Sequence, residues 1–515
     1  MSDEHNVQGT RTLTGDAARQ LIEEQIAAHR GGIQEKLAPY EPKHTVRKWH
    51  EIIRLVEEFI NLPLFHIDDA HLMEWLLSFP LDASFARDPE PRLMAIRQAL
   101  EQHFEPAVLD RYLTILRHTA IIAYELRMQG WYHFGAGITL NSIGAAVAYY
   151  QSRRRHIVSL LYTMPRACKG SARLSSLDYL NALLPVIEAS CITITSLHHK
   201  RALVETIKDY SLEVDAVGAM GSHAFDALEG GFLEPERASI VAMQEFRRDQ
   251  IVQPTLERVD PRKIFSVAEF RNDTKYLAAA YAAYDSADNE FMTMAAILEA
   301  VSRHARDDYY IHIPRRQFKK LLESQSAIDP ASLERLLVNS PSDYATNTNA
   351  YEPFIDLGDL LVSNIGLLSR FLYAFKNIHL GSRRRFQIHA GFIFEAMVKK
   401  ELVDMGFSVT DIKRIDRKEF DVVATRGTTI YNLQCKNNWI DLNKVESNLP
   451  LYLRYNRNLV NYYRRALEKE VKRELILKTE LGLGDIRHYV ISRFPVMGAD
   501  PRVINYNQIR NLQNV

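Results

Sequence analysis

Between residues 45 and 61, apolar side chains recur at Val46, Trp49, Ile52, Ile53, Val56 and Ile60. Spacings of three and four put them on one stripe of a helix. The same period returns at 109–129, 177–210 and 290–305, so most of the chain to residue 338 is predicted to be α-helical, in one or two subdomains. Pro and Gly clusters at 79–91, 164–171, 229–235 and 253–261 interrupt the helices. No fixed-period repeat or low-complexity tract occurs. The stretch 339–353, NSPSDYATNTNAYEP, is short and polar with two prolines, and it reads as a linker. Residues 354–363 read as a short hairpin around Leu357-Gly358-Asp359, and 365–379 returns to helical spacing, giving a connecting region over 339–380.

Beyond residue 381 the pattern changes. A helix over 386–405 ends at Gly406, a residue free to take positive φ and so a natural cap. Short β-type runs follow at 407–409, 420–425 and 430–435, the last two joined by Arg426-Gly427-Thr428-Thr429 as a turn. A long charged helix over 458–479 and a strand over 487–494 complete the pattern. The fold class expected is therefore multidomain, with a mainly helical N-terminal region and an α/β domain over 381–515.

Composition changes this picture through charge and cysteine usage. Lys+Arg and Asp+Glu both number 64, but residues 376–515 carry 25 basic against 15 acidic groups, and the preceding 375 residues 39 against 49. A basic last third points to an anionic partner. Cys168, Cys191 and Cys435 are too few and too scattered for a disulfide framework or a zinc site, and the N-terminus lacks a signal-peptide pattern, so a reducing cytoplasm is expected. The uncharged run 128–152 is diluted by Gln129, His133, Asn141 and Ser142, and is read as a buried helix; no membrane association is expected.

The candidate chemistry lies between Gly391 and Trp439. In order come Glu395 on the helix, Asp421 at the head of the strand FDVVA, and Gln434-Cys435-Lys436 closing the strand IYNLQCK. Strand alternation turns Gln434 and Lys436 to one face and Cys435 to the other. If the two strands pair through their turn, a carboxylate, an amide oxygen and an ammonium lie side by side. Phosphodiester hydrolysis needs oxygen ligands for a hard cation and a positive charge near the attacking water.

The stretch GFIFEAMVKKELVDMGFSV…EFDVVATRGTTIYNLQCKNNW resembles the PD-(D/E)XK nuclease superfamily, most closely its Mrr-type restriction endonuclease catalytic domains, over about fifty residues. The resemblance implies a restriction-endonuclease-like fold and a Mg²⁺- or Mn²⁺-dependent endonuclease. Asp421, Gln434 and the main-chain carbonyl of Cys435 would hold the metal, Lys436 would orient or activate water, and Glu395 would assist from the helix. Gln434 stands where the general motif has an acid, as is usual in the Mrr-type branch, and leaves one anionic ligand fewer. The implied substrate is nucleic acid, DNA before RNA, and the implied role is prokaryotic restriction or phage defence. A structure-selective repair or recombination nuclease, and a catalytically silent nucleic-acid-binding or scaffold protein on the same fold, stay open as alternatives.

Basic groups around these positions fit such a substrate: Arg383, Arg384 and Arg385 before the helix, Lys413, Arg414, Arg417 and Lys418 before Asp421, with Asn437 and Asn438 after Lys436 as further contacts. Arg454, Arg457, Arg464 and Arg465 are interleaved with Tyr452, Tyr455, Tyr462 and Tyr463, able to stack on bases or to pack. Glu468, Glu470 and Glu474 supply helix partners that would make the same run a solvated face. His44, His50, His66, His71, His198 and His199 form no ligand grouping and are read as structural or surface residues. Gly135-Ala136-Gly137 lacks a dinucleotide context, and no Walker-type loop occurs. The helical region is left with sensing, homo-oligomerisation or a protein partner as its role.

Overall fold

The computed structural model describes residues 11–128, 140–215, 219–222, 254–283, 289–324, 328–340, 343–348, 350–381, 384–438, 440 and 444–514. The chain divides into two compact units, one of Ala28–Ile194 and Asp249–Ala374, the other of Met1–Ala27, Thr195–Arg248 and Phe375–Val515.

The first unit is built around helix α1 (Pro42–Phe65), packed against the helix Pro106–Met128 and against α2 (Ile143–Ala167). Glu41 caps α1 by accepting from the His44 N–H, and the apolar stripe read from the sequence is fully buried at Val46, Trp49 and Ile52, joined by Phe59. Trp49 satisfies its one polar atom by donating Nε1 to the Ile157 carbonyl at 2.7 Å. Beside the helices lies a five-stranded sheet ordered Ala305–Arg306, β1 (Tyr310–Pro314), β3 (Leu360–Asn364), β2 (Phe354–Asp356), Val338–Asn339. The hairpin expected around Gly358 is the β2–β3 pair.

The expected linker is different. Tyr344, Asn347 and Thr348 are buried; the Thr348 carbonyl accepts from Ser159 Oγ at 3.0 Å and Asn347 Nδ2 donates to Thr163 Oγ1 at 3.3 Å. Polar composition points to solvent, but Asn347 through its side chain and Thr348 through its carbonyl bond α2 instead, so Tyr344, Asn347 and Thr348 belong to this unit's core. The run 128–152 is likewise not one helix. Residues 129–139 lie outside the described residues, and Ser142 begins a new helix, its side chain accepting from the Ala145 N–H. Among the described residues one helical stretch, Ser176–Thr206, is long and apolar enough to cross a membrane; half of its apolar window is buried.

The second unit holds the α/β domain. Helix α3 (Arg384–Asp404) ends before Gly406, which takes φ +81°. A five-stranded sheet follows, ordered β8 (Val503–Asn505), β7 (Asp485–Ser492), β6 (Thr429–Lys436), β5 (Val422–Arg426), β4 (Ser408–Val409). Strands β6, β7 and β8 are parallel, and β5 pairs antiparallel with both β6 and β4. The β5–β6 turn is Gly427-Thr428 with Gly427 at φ +58°. Helix α3 covers one sheet face through Phe394, Val398 and Leu402 on Val422, Ala424, Leu433 and Ile491. The opposite face is covered by α4 (Leu449–Val471), through Tyr463 and Leu467 on Val490, and by α5 (Glu474–Leu481), through Leu477 on Val423 and Ile430.

The charged helix expected over 458–479 starts nine residues earlier, at Leu449, capped by Asn448, and breaks at Arg473, whose φ of −120° is not helical. The strand β8 and the 3-10 helix Tyr506–Asn514 carry no apolar period long enough to be read from sequence. This unit also takes chain from elsewhere: Ala18, Ile22 and Ile26 of the helix Gly15–Leu37, with Leu197 and Leu203, share a core with Val445, Tyr452 and Met497. The expected start at residue 381 therefore omits part of the unit.

Candidate active site

Alternation along β6 places Asn432, Gln434 and Lys436 on the α4 face, and the register Val422↔Leu433 sets Asp421, one residue before β5, opposite Gln434. The cluster sits at the carboxyl ends of the parallel strands β6 and β7, where backbone groups leave the ladder and side chains converge.

Lys436 Nζ donates to Gln434 Oε1 at 3.1 Å and lies 3.6 Å from Asp421 Oδ2. Asp421 Oδ2 also accepts from the Cys435 N–H at 2.9 Å. Because N–H and C=O of one strand residue point to the same side, the Cys435 carbonyl is turned toward the same edge. Its side chain packs into the α3 layer, as alternation requires. Burial pushes the Cys435 thiol well up, and the charges of Asp421 and Glu395 push the same way, so it stays a neutral thiol.

Glu395 approaches from α3. Burial lifts its carboxyl to about 7, with the Asp421 charge adding and Lys399, Lys436 and Lys413 opposing. Burial also raises Asp421, against Lys436 and the Cys435 N–H. The two acids thus lie within each other's field, and Lys436 is within reach of both. From the loop before Asp421, the charge of Lys413 acts on Glu395. Arg414 pairs with Glu419 across a small hairpin, Arg414–Ile415 with Lys418–Glu419, turned by Asp416 and Arg417 at positive φ; Arg417 and Lys418 are exposed. Arg384 is exposed at the start of α3, Arg385 follows it on the helix, and Arg383 lies outside the described residues. Asn437 Oδ1 accepts from Arg493 Nη1 at 3.0 Å, and Asn438 is exposed.

Several residues not anticipated belong to the site. Glu470 of α4, 1% exposed, accepts from Asn432 Nδ2 at 2.9 Å and pairs with Arg473, and its charge reaches Asp421. It is therefore not the surface partner its spacing suggested. Glu470 follows Tyr463 and Leu467 at seven and three positions, on their buried stripe, and that spacing was the available signal. Arg493, just past β7, is held by burial down to about 10 and touches Asn437. Lys399, one turn after Glu395, acts on both Glu395 and Cys435.

Among the described residues no three His, Cys, Asp or Glu side chains group closely enough to hold a metal. The expected set has only one such side chain, so its fit rests on other chemistry. Asp421, Gln434 and the Cys435 carbonyl offer oxygens, the donors hard divalent ions take, and the nearby sulfur faces away. Gln434 is 7% exposed, and its Nε2 finds no hydrogen-bond partner among the described residues while Oε1 faces Lys436. The amide is thus held from its oxygen side alone. These residues fit Mg²⁺ or Mn²⁺. No family model, curated protein or solved structure matches the chain.

Proposed function

We propose that this protein is a metal-dependent endonuclease that hydrolyses phosphodiester bonds, with DNA as its substrate and prokaryotic restriction or phage defence as its role. The observation that carries the reading is the convergence of Lys436 Nζ on Gln434 Oε1 and Asp421 Oδ2, at 3.1 and 3.6 Å, with Glu395 in the same field. The substrate class and the role rest on the resemblance of residues 391–439 to Mrr-type domains and on the basic charge of the last third.

Asp421, Gln434 and the Cys435 carbonyl would hold Mg²⁺ or Mn²⁺, which when bound polarises a phosphoryl oxygen and acidifies water. Lys436 places an ammonium where an attacking water needs orienting and where charge builds on the phosphate. Glu395, whose carboxyl burial lifts to about 7, is suited to take up or return a proton at the same edge. Glu470 and Arg473 anchor Asn432 on the same face of β6, so Gln434 and Lys436 project from a strand with little freedom.

The exposed face of α4 supports a polyanionic substrate. Tyr455 and Tyr462, 55% and 51% exposed and seven residues apart, lie among exposed Arg454, Arg457, Arg464 and Arg465, whereas Tyr452 and Tyr463 are core residues. Two exposed aromatics among arginines suit base stacking with phosphate neutralisation.

The test incubates the full chain with plasmid, linear duplex, single-stranded DNA and RNA, each with Mg²⁺, Mn²⁺ or EDTA. Metal-dependent cleavage of DNA that Lys436→Ala abolishes supports the proposal. Binding without cleavage under every condition favours a silent nuclease fold.

A further inference from the structure

The first unit contains a second constellation of polar groups. Helix α1 carries Arg47, His50, Glu51 and Arg54 at spacings of three and four, a polar stripe on a helix otherwise devoted to the core. It faces the sheet at Tyr310 and His312 of β1, which pair across the ladder with Asn364 and Val362 of β3. Between them is a cleft of about 250 Å³ lined by Arg47, His50, Glu51, Arg306, Tyr310 and His312.

Hydrogen bonding fixes what His50 presents there. Asn364 Oδ1 accepts from the Leu367 N–H at 2.8 Å, so the amide group turned to His50 is its NH₂. That Nδ2 lies 3.0 Å from His50 Nδ1, which must then accept, and the proton of the neutral ring sits on Nε2. His50 is 3% exposed, and Nε2 finds no hydrogen-bond partner among the described residues. A buried N–H without an acceptor costs stability unless something binds it.

The neighbours indicate what would. Arg47 and Arg306 are exposed at the rim, and their charges, after burial, hold His312 below its ordinary value. Burial and then His312 bring His50 down to about 3, so both rings are neutral at pH 7. The one lining acid, Glu51, is engaged by Lys48 Nζ at 2.9 Å and Ser176 Oγ at 2.5 Å and lies 4.0 Å from Arg47 Nε, which leaves most donors of that guanidinium for a ligand.

We propose that this cleft binds a phosphate monoester, with Arg47 and Arg306 neutralising the dianion and His50 Nε2 donating to one of its oxygens. Two guanidiniums and two imidazoles offer more donors than a carboxylate can use, whereas a phosphate accepts at three oxygens. The volume favours a compact ligand, since drug-sized ligands occupy about 300–1,000 Å³. This site stands independently of the nuclease reading.

Isothermal titration of the full chain in EDTA tests it, with inorganic phosphate, AMP, and a short oligonucleotide bearing either a 5′-phosphate or a 5′-hydroxyl. Wild type binds at least one phosphate-bearing probe. Arg47→Gln combined with Arg306→Gln, both exposed and harmless to the core, weakens binding roughly tenfold or more, and His312→Gln weakens it less. Preference for AMP over the oligonucleotide identifies a small-molecule ligand, and preference for the 5′-phosphorylated over the 5′-hydroxyl oligonucleotide, lost in the double variant, a strand end. Equal affinity in the double variant, or no binding by any probe, overturns the proposal.

Discussion

Removing Glu470 reaches the site through the fold. Its carboxylate is 1% exposed, pairs with the 9% exposed guanidinium of Arg473, and accepts from Asn432, which itself is fully buried on β6 two residues before Gln434. Glu470→Ala leaves Arg473 charged, buried and unpaired and strips the Asn432 amide of an acceptor. Breaking a buried pair from one side costs about 3–5 kcal/mol, which corresponds to roughly 150-fold to several-thousand-fold more frequent opening of the surrounding strands. Native-state hydrogen exchange read by mass spectrometry on peptides covering 429–436 and 485–492 measures this locally, without requiring the two units to melt together. Glu470→Gln, able still to accept from Asn432, loses less, and Arg473→Ala in the Glu470→Ala background adds little, giving a coupling above about 1 kcal/mol. A loss below about 1 kcal/mol in Glu470→Ala, or additive single losses, would mean that Glu470 and Arg473 do not hold these strands as a buried pair.

Glu395 gives a pH test. Its folded value of about 7 exceeds the ordinary 4.5, so folding takes up a proton between these pH values and wild-type stability falls as pH rises through that window, levelling above 7. Glu395→Gln removes this loss: its melting temperature relative to wild type rises from pH 4.5 to 7, and a flat difference contradicts the assignment. If ionised Glu395 serves the reaction, cleavage falls about tenfold per pH unit below 7 and Glu395→Gln abolishes that limb; persistence of the limb in the variant argues against the role. Replacing both Tyr455 and Tyr462 by Ala, each about half exposed, weakens single-strand binding by about 1–3 kcal/mol for each base stacked while leaving the protein folded; unchanged binding by fluorescence anisotropy removes α4 from the interface. Gly427→Val places a β-branched residue at φ +58° in the β5–β6 turn and costs about 1–2 kcal/mol, measurable by the same exchange experiment on 422–436.

Legibility in the sequence followed sequence distance. The order α3, Gly406, β5, Gly427, β6 is specified by neighbours: an apolar period, two glycines at positive φ and strict alternation, which also turns Gln434 and Lys436 together and Cys435 away. What sequence does not carry is which distant polar groups meet. Glu470 resembles a surface acid until Asn432 and Arg473 are seen around it, and Asn347 and Thr348 resemble linker until α2 supplies their partners. Composition marks such residues as solvent-seeking; only tertiary contacts show that a hydrogen bond has replaced the water. The Ala18–Ile26 stripe had the right period for a helix, but nothing local says that it packs with Tyr452 and Met497. The cleft at His50 follows the same rule, since its histidines are 262 positions apart, His50 and His312, and neither has a neighbouring ligand in sequence.

In the proposed reaction Asp421 and Lys436 act on a scissile phosphate together with a divalent cation. Single-turnover cleavage of plasmid DNA by wild type, Asp421→Ala and Lys436→Ala, across a Mg²⁺ and Mn²⁺ titration, tests it most directly when hydrogen exchange shows both variants folded. Wild type is expected to cleave in a metal-dependent way and each variant to lose at least about 100-fold, with DNA binding retained. Cleavage by either folded variant at the wild-type rate would contradict it.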